Sequence, residues 1–348
     1  MNRNDHKVKI LSRNAIRKKF NNSTNICTKK LFGVKSYKRK NIFIVMYDYL
    51  QRNNYDKFFK YNIKRKYRLE DIICEIYYML RNVVSYENHI GEINGKTLNR
   101  YILWFDRNRI FQKVHEIVLN KHIKKFPSDN KTISLDSCNA SNKKCTNGIN
   151  YNGPFKKYSN IDKSKVLKRH SLLKHTKFPK KKLPKKEYAK YNKSLILGKN
   201  RHYNNKYSIK ISAITNNSMI PLNVKLYNAA ITDSEIGYDQ LMQFNNFTKS
   251  TYLLADKGYS CNNIDTICTK LKLTQIIPFN KRNTKNKKII NSKKLNKLQL
   301  SIYKKRVKVE NFFAILKNYK RIDHIYEKNI TTYEALLHFA LIDIILKY

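Results

Sequence analysis

The chain has 348 residues and a formal net charge of +49, from 73 lysine and arginine residues against 24 acids. This length predicts about two domains, and an apolar share of 41% is enough for a packed core. The longest near-apolar stretch, residues 335–346, is interrupted by His338 and Asp343 and is shorter than the ~20 residues that a membrane span needs. These features favour a globular protein and argue against an integral membrane protein.

The first residues contain no apolar segment of the kind found in signal peptides, and six scattered cysteines do not form a disulfide framework. We therefore expect a reducing, intracellular location. The bias of an AT-rich coding sequence accounts for part of the lysine excess, but the charge still produces a field that attracts polyanions. Nucleic acid is the expected partner. A virion or ribosome-type structural protein and a merely solvated basic surface remain alternatives at this point.

The N-terminal part of the chain is first basic and then helical. Residues 1–40 carry 13 lysines and arginines and one acid, without a sustained apolar period, and predict a basic arm. From residue 41 to about 125 the apolar residues recur at helical spacing. Helices are predicted at 69–84, 95–105 and 110–123.

The last two of these helices are joined by a short turn among basic residues. Arg100, Arg107 and Arg109 lie around that turn. The arrangement fits a helix-turn-helix DNA reader, and it fits equally well a helical bundle with basic faces.

Past residue 131 the pattern changes to strands and alternating helices. Strands are predicted at 132–136, 207–215, 219–227, 252–256 and 274–278. Helices are predicted at 233–244, 261–271, 298–319 and 332–346. A meander of strands followed by alternating strands and helices indicates an α/β fold with a mixed sheet covered by helices.

Two basic segments interrupt this pattern. Residues 139–206 contain 20 lysines and arginines against two acids, and residues 281–308 contain 12 against none. Neither segment can bury a core, so both are predicted to be loops or inserts.

Two of the few acids end predicted strands. Asp136 follows Thr132-Ile-Ser-Leu and, by the alternation of a strand, points away from Leu135. Asp256 ends the apolar run Tyr252-Leu-Leu-Ala, and Lys257-Gly-Tyr turns the chain directly after it. Carboxyl ends of strands are where an open sheet presents ligand-binding groups.

A third acid, Glu310, lies on a predicted helix with two distinct stripes. At about 100° per residue, one stripe contains Tyr303, Arg306, Glu310 and Lys317. The separate apolar stripe contains Val309, Phe312, Phe313 and Leu316. The helix is therefore predicted to pack by its apolar face and to present the polar stripe beside it.

Taken singly, Glu310 is an ordinary solvated helix acid, Asp136 a turn former and Asp256 a strand-end cap. Taken together, three acids set among lysines suit Mg²⁺, which binds few carboxylates and completes its shell with water and phosphate oxygens. Two such ions about 4 Å apart can serve both the attacking and the leaving oxygen in phosphodiester chemistry.

These residues match the motifs of a known family. The chain resembles insertion-sequence DDE transposases, in the group whose third motif is Tyr-x2-Arg-x3-Glu-x6-Lys, and that motif is complete here from Tyr303 to Lys317. The first motif is similar to Leu135-Asp-Ser137, and the second to Leu253-Leu-Ala-Asp-Lys-Gly-Tyr259. The likeness extends over about residues 65–348.

The resemblance implies an RNase H-like catalytic domain with a mixed five-stranded sheet, which cuts and joins double-stranded DNA at the inverted-repeat ends of a mobile element. It implies two divalent ions, Mg²⁺ or Mn²⁺, bound by the catalytic acids Asp136, Asp256 and Glu310. It also implies DNA contacts from Tyr303, Arg306, Lys317 and Lys257. The expected assembly is a homodimer on DNA.

The charge and periodicity of the chain, together with the resemblance, suggest how it is divided. A basic arm at 1–40 precedes a small helical, DNA-binding domain at 41–128, and the RNase H-like domain follows at 129–348. A basic insert at about 139–206 is longer and richer in lysine than the family's usual link between the first and second strands. The expected location is the DNA itself, in the cytoplasm or nucleoid of a prokaryote, or otherwise in a nucleus or viral replication site.

Two other candidate ligand sets are set aside. Asp233 lies in Thr232-Asp-Ser-Glu235, a capping box that opens a helix, so Asp233 is predicted to act as a cap. A zinc site is not expected, because the cysteine pairs lack CxxC spacing and paired histidines. Those pairs are Cys138/Cys145 and Cys261/Cys268.

Three functions remain open from the sequence: an active transposase, a domesticated or decayed copy that only binds DNA, and an RNase H-like nuclease without strand transfer. The intact motif residues argue against decay, because drift would change them as readily as surface positions.

Overall fold

The structure, a computed structural model, describes the larger part of the chain's residues. These are 40–53, 67–82, 86, 88–89, 91–142, 198–199, 207–244, 251–281, 286, 288, 291, 294–327 and 330–348. Residues 1–39 of the predicted basic arm lie outside this set, as do residues 143–197 and 200–206 of the predicted insert.

Among the described residues, four helices precede the sheet. They are α1 (Lys40–Arg52), α2 (Leu69–Arg81), α3 (Gly95–Arg107) and α4 (Ile110–Lys125). The three helices predicted between residues 69 and 123 are confirmed to within a few residues. Asn94 fixes the start of α3, because its side chain accepts a hydrogen bond from the N–H of Lys96.

The seven strands belong to one mixed sheet. They are β1 (Thr132–Asn142), β2 (Gly198–Lys199), β3 (Tyr207–Asn216), β4 (Pro221–Asn228), β5 (Tyr252–Ala255), β6 (Thr274–Ile276) and β7 (His324–Ile325). The main order is β4-β3-β1-β5-β6, with antiparallel pairing from β4 to β1 and parallel pairing from β1 to β6. This is the predicted mixed five-stranded sheet, to which the two-residue strands β2 and β7 are added at β3 and β1.

Among the described residues, six helices accompany the strands. Five are α5 (Asp233–Gln243), α6 (Asn262–Leu271), α7 (Lys297–Tyr303), α8 (Val307–Leu316) and α9 (Ile330–Ile345), and the sixth is a single turn at Lys320–Asp323. Helix α5 opens with the predicted capping box, in which Thr232 and Glu235 bond each other's backbone N–H. Helix α5 contacts β1, and α8 contacts β1 and β3.

The predicted end of the first strand is wrong. Asp136 lies in the middle of β1, which continues to Asn142, so residues 139–142 are not part of a loop. The strand continues because β3 pairs with it as far as Ser141 and because Ala140 is buried. A polar residue in a strand does not end it when the neighbouring strands still supply hydrogen-bond partners.

The single helix predicted at 298–319 is also wrong. Helix α7 ends at Tyr303, a 3₁₀ turn spans Lys304–Arg306, and α8 follows. None of the residues of α7 or of the turn is buried, so no packed side chain holds this stretch in regular α geometry. The predicted apolar stripe of α8 is confirmed, since all four of its residues are buried.

Helix α9 is the centre of the core. It is buried at 13 of its 16 positions, which is the pattern of a helix surrounded by other elements. Phe339 stacks on Phe111 of α4 at 4.7 Å between ring centroids and meets the ring edge of Tyr77 of α2 at 6.1 Å. The N-terminal helices and the sheet therefore share one apolar core. Within the described residues, no helix has both the length and the apolarity to cross a membrane.

One acid lies inside this apolar core. Asp343 of α9 is 2% exposed and accepts hydrogen bonds from Tyr77 at 2.8 Å and from Tyr319 at 2.5 Å. Lys347 lies 3.4 Å from the same carboxylate oxygen. A buried carboxylate is tolerated only when donors and a countercharge surround it, so this cluster fixes α9 against both α2 and the chain after α8.

We expect Asp343→Asn to lower the free energy of unfolding by about 1–3 kcal/mol, because charge-assisted hydrogen bonds to two tyrosines are weakened. Chemical denaturation measures this change. The control is Asp48→Asn, which removes an exposed i,i+4 pair with Arg52 and should cost no more than about 0.5 kcal/mol. Equal effects of the two substitutions would show that the buried cluster does not hold the helices together.

Candidate active site

The sheet places two of the three predicted acids side by side. In the parallel pairing of β1 with β5, Leu135 lies opposite Ala255, and this pair is the last of the ladder. Asp136 and Asp256 are the next residue on each strand. Asp136 is half-buried, whereas Asp256 is exposed and accepts a hydrogen bond from the N–H of Lys257 at 2.6 Å. Both carboxylates therefore lie at the same end of the parallel half of the sheet.

Arg306 brings the third acid to the same place. Its Nη1 donates to Oδ2 of Asp136 at 3.0 Å, and its Nη2 donates to Oε1 of Glu310. The guanidinium also lies over the ring of Tyr303, 5.9 Å from the centroid. One guanidinium thus spans the space between Asp136 and Glu310.

The electrostatics of the site agree with this geometry. Partial burial raises the pKa of Asp136, and the neighbouring carboxylates of Asp233 and Asp256 add to the rise, while Ser137 N–H and Arg306 oppose it. Burial alone would lower the pKa of Arg306, but Tyr303 and the three acids Asp136, Glu310 and Asp256 together raise it. Arg306 therefore lies within electrostatic reach of all three predicted acids.

The next residue of β1 faces the other side of the sheet. Ser137 donates a hydrogen bond to Oδ1 of Asp233 at 2.6 Å, and Lys210 of β3 lies 3.0 Å from the same oxygen. Lys210 is buried and also donates to the carbonyl oxygen of Ile231 at 2.8 Å. This network ties the start of α5 to the strand that carries Asp136.

The structure corrects the role expected of Asp233. Thr232, and not Asp233, caps α5, while the Asp233 carboxylate pairs with Lys210 and Ser137. Sequence reasoning did not single out Lys210. Its only sequence signal is a lysine at an inward position of a strand, and that signal is weak in a chain so rich in lysine.

The predicted DNA-contacting residues lie around the three acids. Lys257 and Lys317 are exposed, Arg306 is half-buried, and Tyr303 packs beside Arg306. Burial raises the pKa of the Cys138 thiol of β1 to about 12, and the positive charge of Lys317 opposes this rise. Lys317 is therefore close to β1. Lys257 thus follows Asp256 directly, while Tyr303 and Arg306 lie just before α8 and Lys317 directly after it.

The donor set suits a hard divalent cation, since it consists of carboxylate oxygens from β1, from the residue directly after β5 and from a neighbouring helix. The arrangement does not form a closed metal site, because Arg306 lies between two of the acids. Accordingly, no group of three or more His, Cys, Asp or Glu side chains in the described ranges is placed closely enough to hold a metal ion. Of the cysteines considered for zinc, Cys138, Cys261 and Cys268 are free thiols, and Cys145 lies outside the described residues.

Comparison with known proteins identifies the family. A family model described as a transposase DDE domain matches residues 169–342, half of the chain. The chain belongs to this family. Neither the curated proteins nor the solved structures gave a match. The activity is therefore that of a transposase, which cleaves DNA strands and transfers them, and members of the family generally use divalent metal ions.

The matched range contains Asp256 and Glu310 but begins after Asp136. Asp136 is connected to the matched part by the structure, because β1 pairs with β3 on one side and with β5 on the other. The strand that carries Asp136 is thus the central strand of the matched domain's sheet.

Two glycines near the site differ in what the fold demands of them. A Cβ atom at Gly237 of α5 would lie 2.8 Å from the ring of Tyr259, whereas a Cβ at Gly258 meets no atom within 4 Å. The fold needs a glycine at 237, where α5 approaches the turn after Asp256. It does not need one at 258, and a residue without a side chain leaves room for another molecule to approach the backbone.

We expect Gly258→Ala to leave the melting temperature unchanged, because the added methyl group meets no atom within 4 Å, and to weaken binding of DNA if DNA approaches the backbone after Asp256. The matched substitution Gly237→Ala should lower the free energy of unfolding by about 1–3 kcal/mol, since it overpacks the contact with Tyr259. Thermal unfolding and DNA titration of both variants measure these effects. DNA binding by Gly258→Ala at the parent affinity would contradict the expectation.

Proposed function

We propose that Asp136, Asp256 and Glu310 are the catalytic acids of a transposase of the Tyr-x2-Arg-x3-Glu-x6-Lys group. The observation that carries this proposal is the position of Arg306, which contacts Asp136 and Glu310 at once. The strand register sets Asp256 beside Asp136. Three acids far apart in the sequence are thereby gathered around one arginine of the motif.

In this proposal the three acids hold two divalent ions, Mg²⁺ or Mn²⁺. Such ions, when bound, withdraw charge from the attacking and leaving oxygens of a phosphodiester. The protein supplies the positions: two acids lie directly after the shared ladder of the paired strands β1 and β5, and one comes from a helix whose apolar face is buried. Fixed carboxylates of this kind allow in-line attack without rearrangement of the sheet.

The basic residues around the acids bind the DNA in this proposal. Arg306 offers a planar fork of donors that matches a phosphate, while Lys257 and Lys317 offer exposed charges on either side. Tyr303 lies beside the guanidinium and restricts its orientation. A chain with a net charge of +49 also attracts DNA over long range.

The larger organisation is proposed on the same basis. The helical unit at 41–128 binds DNA through its basic surface, on which Arg100, Arg107 and Arg109 are exposed. The domain at 129–348 carries the chemistry. Because a mobile element has two ends and one chain offers one set of three acids, we propose that a homodimer acts on double-stranded DNA. We place it at the DNA within the cell, in the nucleoid of a prokaryote or in a nucleus or viral replication site otherwise.

The substitutions Asp136→Asn, Asp256→Asn and Glu310→Gln test the assignment. Each should reduce Mg²⁺-dependent cleavage of DNA that carries the element's ends by a factor on the order of 100 or more, because it removes one charged ligand at the reacting phosphate. Melting temperature should stay close to that of the parent, since surface changes cost within about 0.5 kcal/mol, and each variant should still bind DNA.

The control for these variants is Asp265→Asn on α6, an acid bonded to Gln275 outside the site. It should cleave and join DNA at the parent rate. Parent-level cleavage by any of the three site variants would remove that residue from the catalytic set. Cleavage of the ends without any joined product would contradict strand transfer.

A further inference from the structure

Both oxygens of the Asp136 carboxylate are engaged in this structure. Oδ1 accepts a hydrogen bond from the N–H of Ser137 at 2.8 Å, and Oδ2 accepts one from Arg306 at 3.0 Å. The second nitrogen of the same guanidinium is bonded to Glu310. The side chain of Arg306 therefore fills the space in which a cation bound by both acids would lie.

Arg306 is held there by its contacts with the two acids and with the ring of Tyr303. Its side chain is 18% exposed, and those of Asp136 and Glu310 are 24% and 50% exposed. Its backbone belongs to the 3₁₀ turn between α7 and α8, in which no residue is buried. The side chain can thus leave the acids by rotation about its own bonds, without displacing α8, whose apolar face is anchored in the core.

We propose that Arg306 competes with the divalent ion for Asp136 and Glu310, and that a DNA phosphate withdraws Arg306 and so opens the site to the ion. This proposal rests on the assignment of the three acids given under the proposed function. It adds an order of events. Without DNA, Asp136 and Glu310 are paired with Arg306, and DNA must bind before the divalent ions can occupy the site fully.

The chemistry of the guanidinium supports this exchange. A planar fork with two parallel N–H donors binds a phosphate as readily as it binds carboxylates, so Arg306 can change partner without becoming an unpaired buried charge. Lys304 and Lys305 are exposed in the same turn, and their charge favours a phosphate close to Arg306. An arginine and a divalent cation at the same two acids repel each other, so the two occupants exclude one another.

The exchange makes the binding of metal and the binding of DNA interdependent. If DNA increases the affinity of the site for the ion, the ion must increase the affinity for DNA by the same factor. A transposase built in this way does not carry a fully loaded metal centre while it is free of DNA.

The test measures Mn²⁺ binding by electron paramagnetic resonance for the parent and for Arg306→Gln, each without DNA and with a duplex of the element's end that has a dideoxy 3′ terminus. Without DNA, Arg306→Gln should bind Mn²⁺ about tenfold more tightly than the parent, because one opposing charge has been removed. DNA should raise the affinity of the parent toward that of the variant and leave the variant nearly unchanged. Ions bound by DNA itself are subtracted with the complex of Asp136→Asn.

The matched control is Lys305→Gln, which removes one positive charge from the same turn but does not bridge the acids. It should bind Mn²⁺ as the parent does. An increase in Mn²⁺ affinity equal to that of Arg306→Gln would show that the loss of any nearby positive charge has this effect, and it would overturn the proposal. Equal and tight Mn²⁺ binding by parent and Arg306→Gln without DNA would also overturn it, while leaving the metal-binding role of the acids intact. Absence of Mn²⁺ binding by both proteins, even with DNA, would instead contradict the proposed function itself.

Discussion

The pairing of β1 with a strand on each side fixes the position of the whole site. Antiparallel pairing with β3 and parallel pairing with β5 determine how far Asp136 lies along the sheet. Because side chains alternate along a strand, the same register sends Asp136 toward α8 and Ser137 toward α5. A slip of one residue would exchange the two faces and separate Asp136 from Arg306.

Several buried acids serve the fold and not the site. Glu327 binds the buried Arg321 at 2.7 Å, and Glu75 binds His89 and the N–H of Glu92. Asp343 is held in the same way inside α9. These internal acids fasten one segment to another, whereas Asp256 and Glu310 are exposed and Asp136 is only half-buried. Exposure to solvent and to ligands distinguishes the proposed catalytic acids from the structural ones.

Much of the fold could be predicted from the sequence because its signal is local. The alternation in 207–227 and the apolar stripe of α8 each reflect a buried face, and both appear in the structure. The end of β1 could not be predicted, because its last residues are held by β3 and β7, which come much later in the chain. The break between α7 and α8 was missed because helical periodicity does not show where packing support ends.

The three acids of the site could be proposed from motif spacing, but their relation to Arg306 could not. A helical projection places Arg306 and Glu310 on one stripe, yet it says nothing of Asp136, which belongs to a distant strand. The pairing of Lys210 with Asp233 could not be predicted for the same reason, since it joins β3 to the start of α5.

The most direct test of the central claim is cleavage of the polypeptide by Fe²⁺ bound in place of Mg²⁺, with ascorbate and peroxide, in the complex with DNA. Hydroxyl radicals formed at a bound ion cut the nearest backbone, so this measurement locates the ion independently of activity. We expect cuts in three segments, around Asp136, Asp256 and Glu310. Excess Mg²⁺ and the Asp136→Asn substitution should both suppress these cuts. Cuts confined to one of these segments, or located elsewhere in the chain, would contradict a single metal centre built by the three acids.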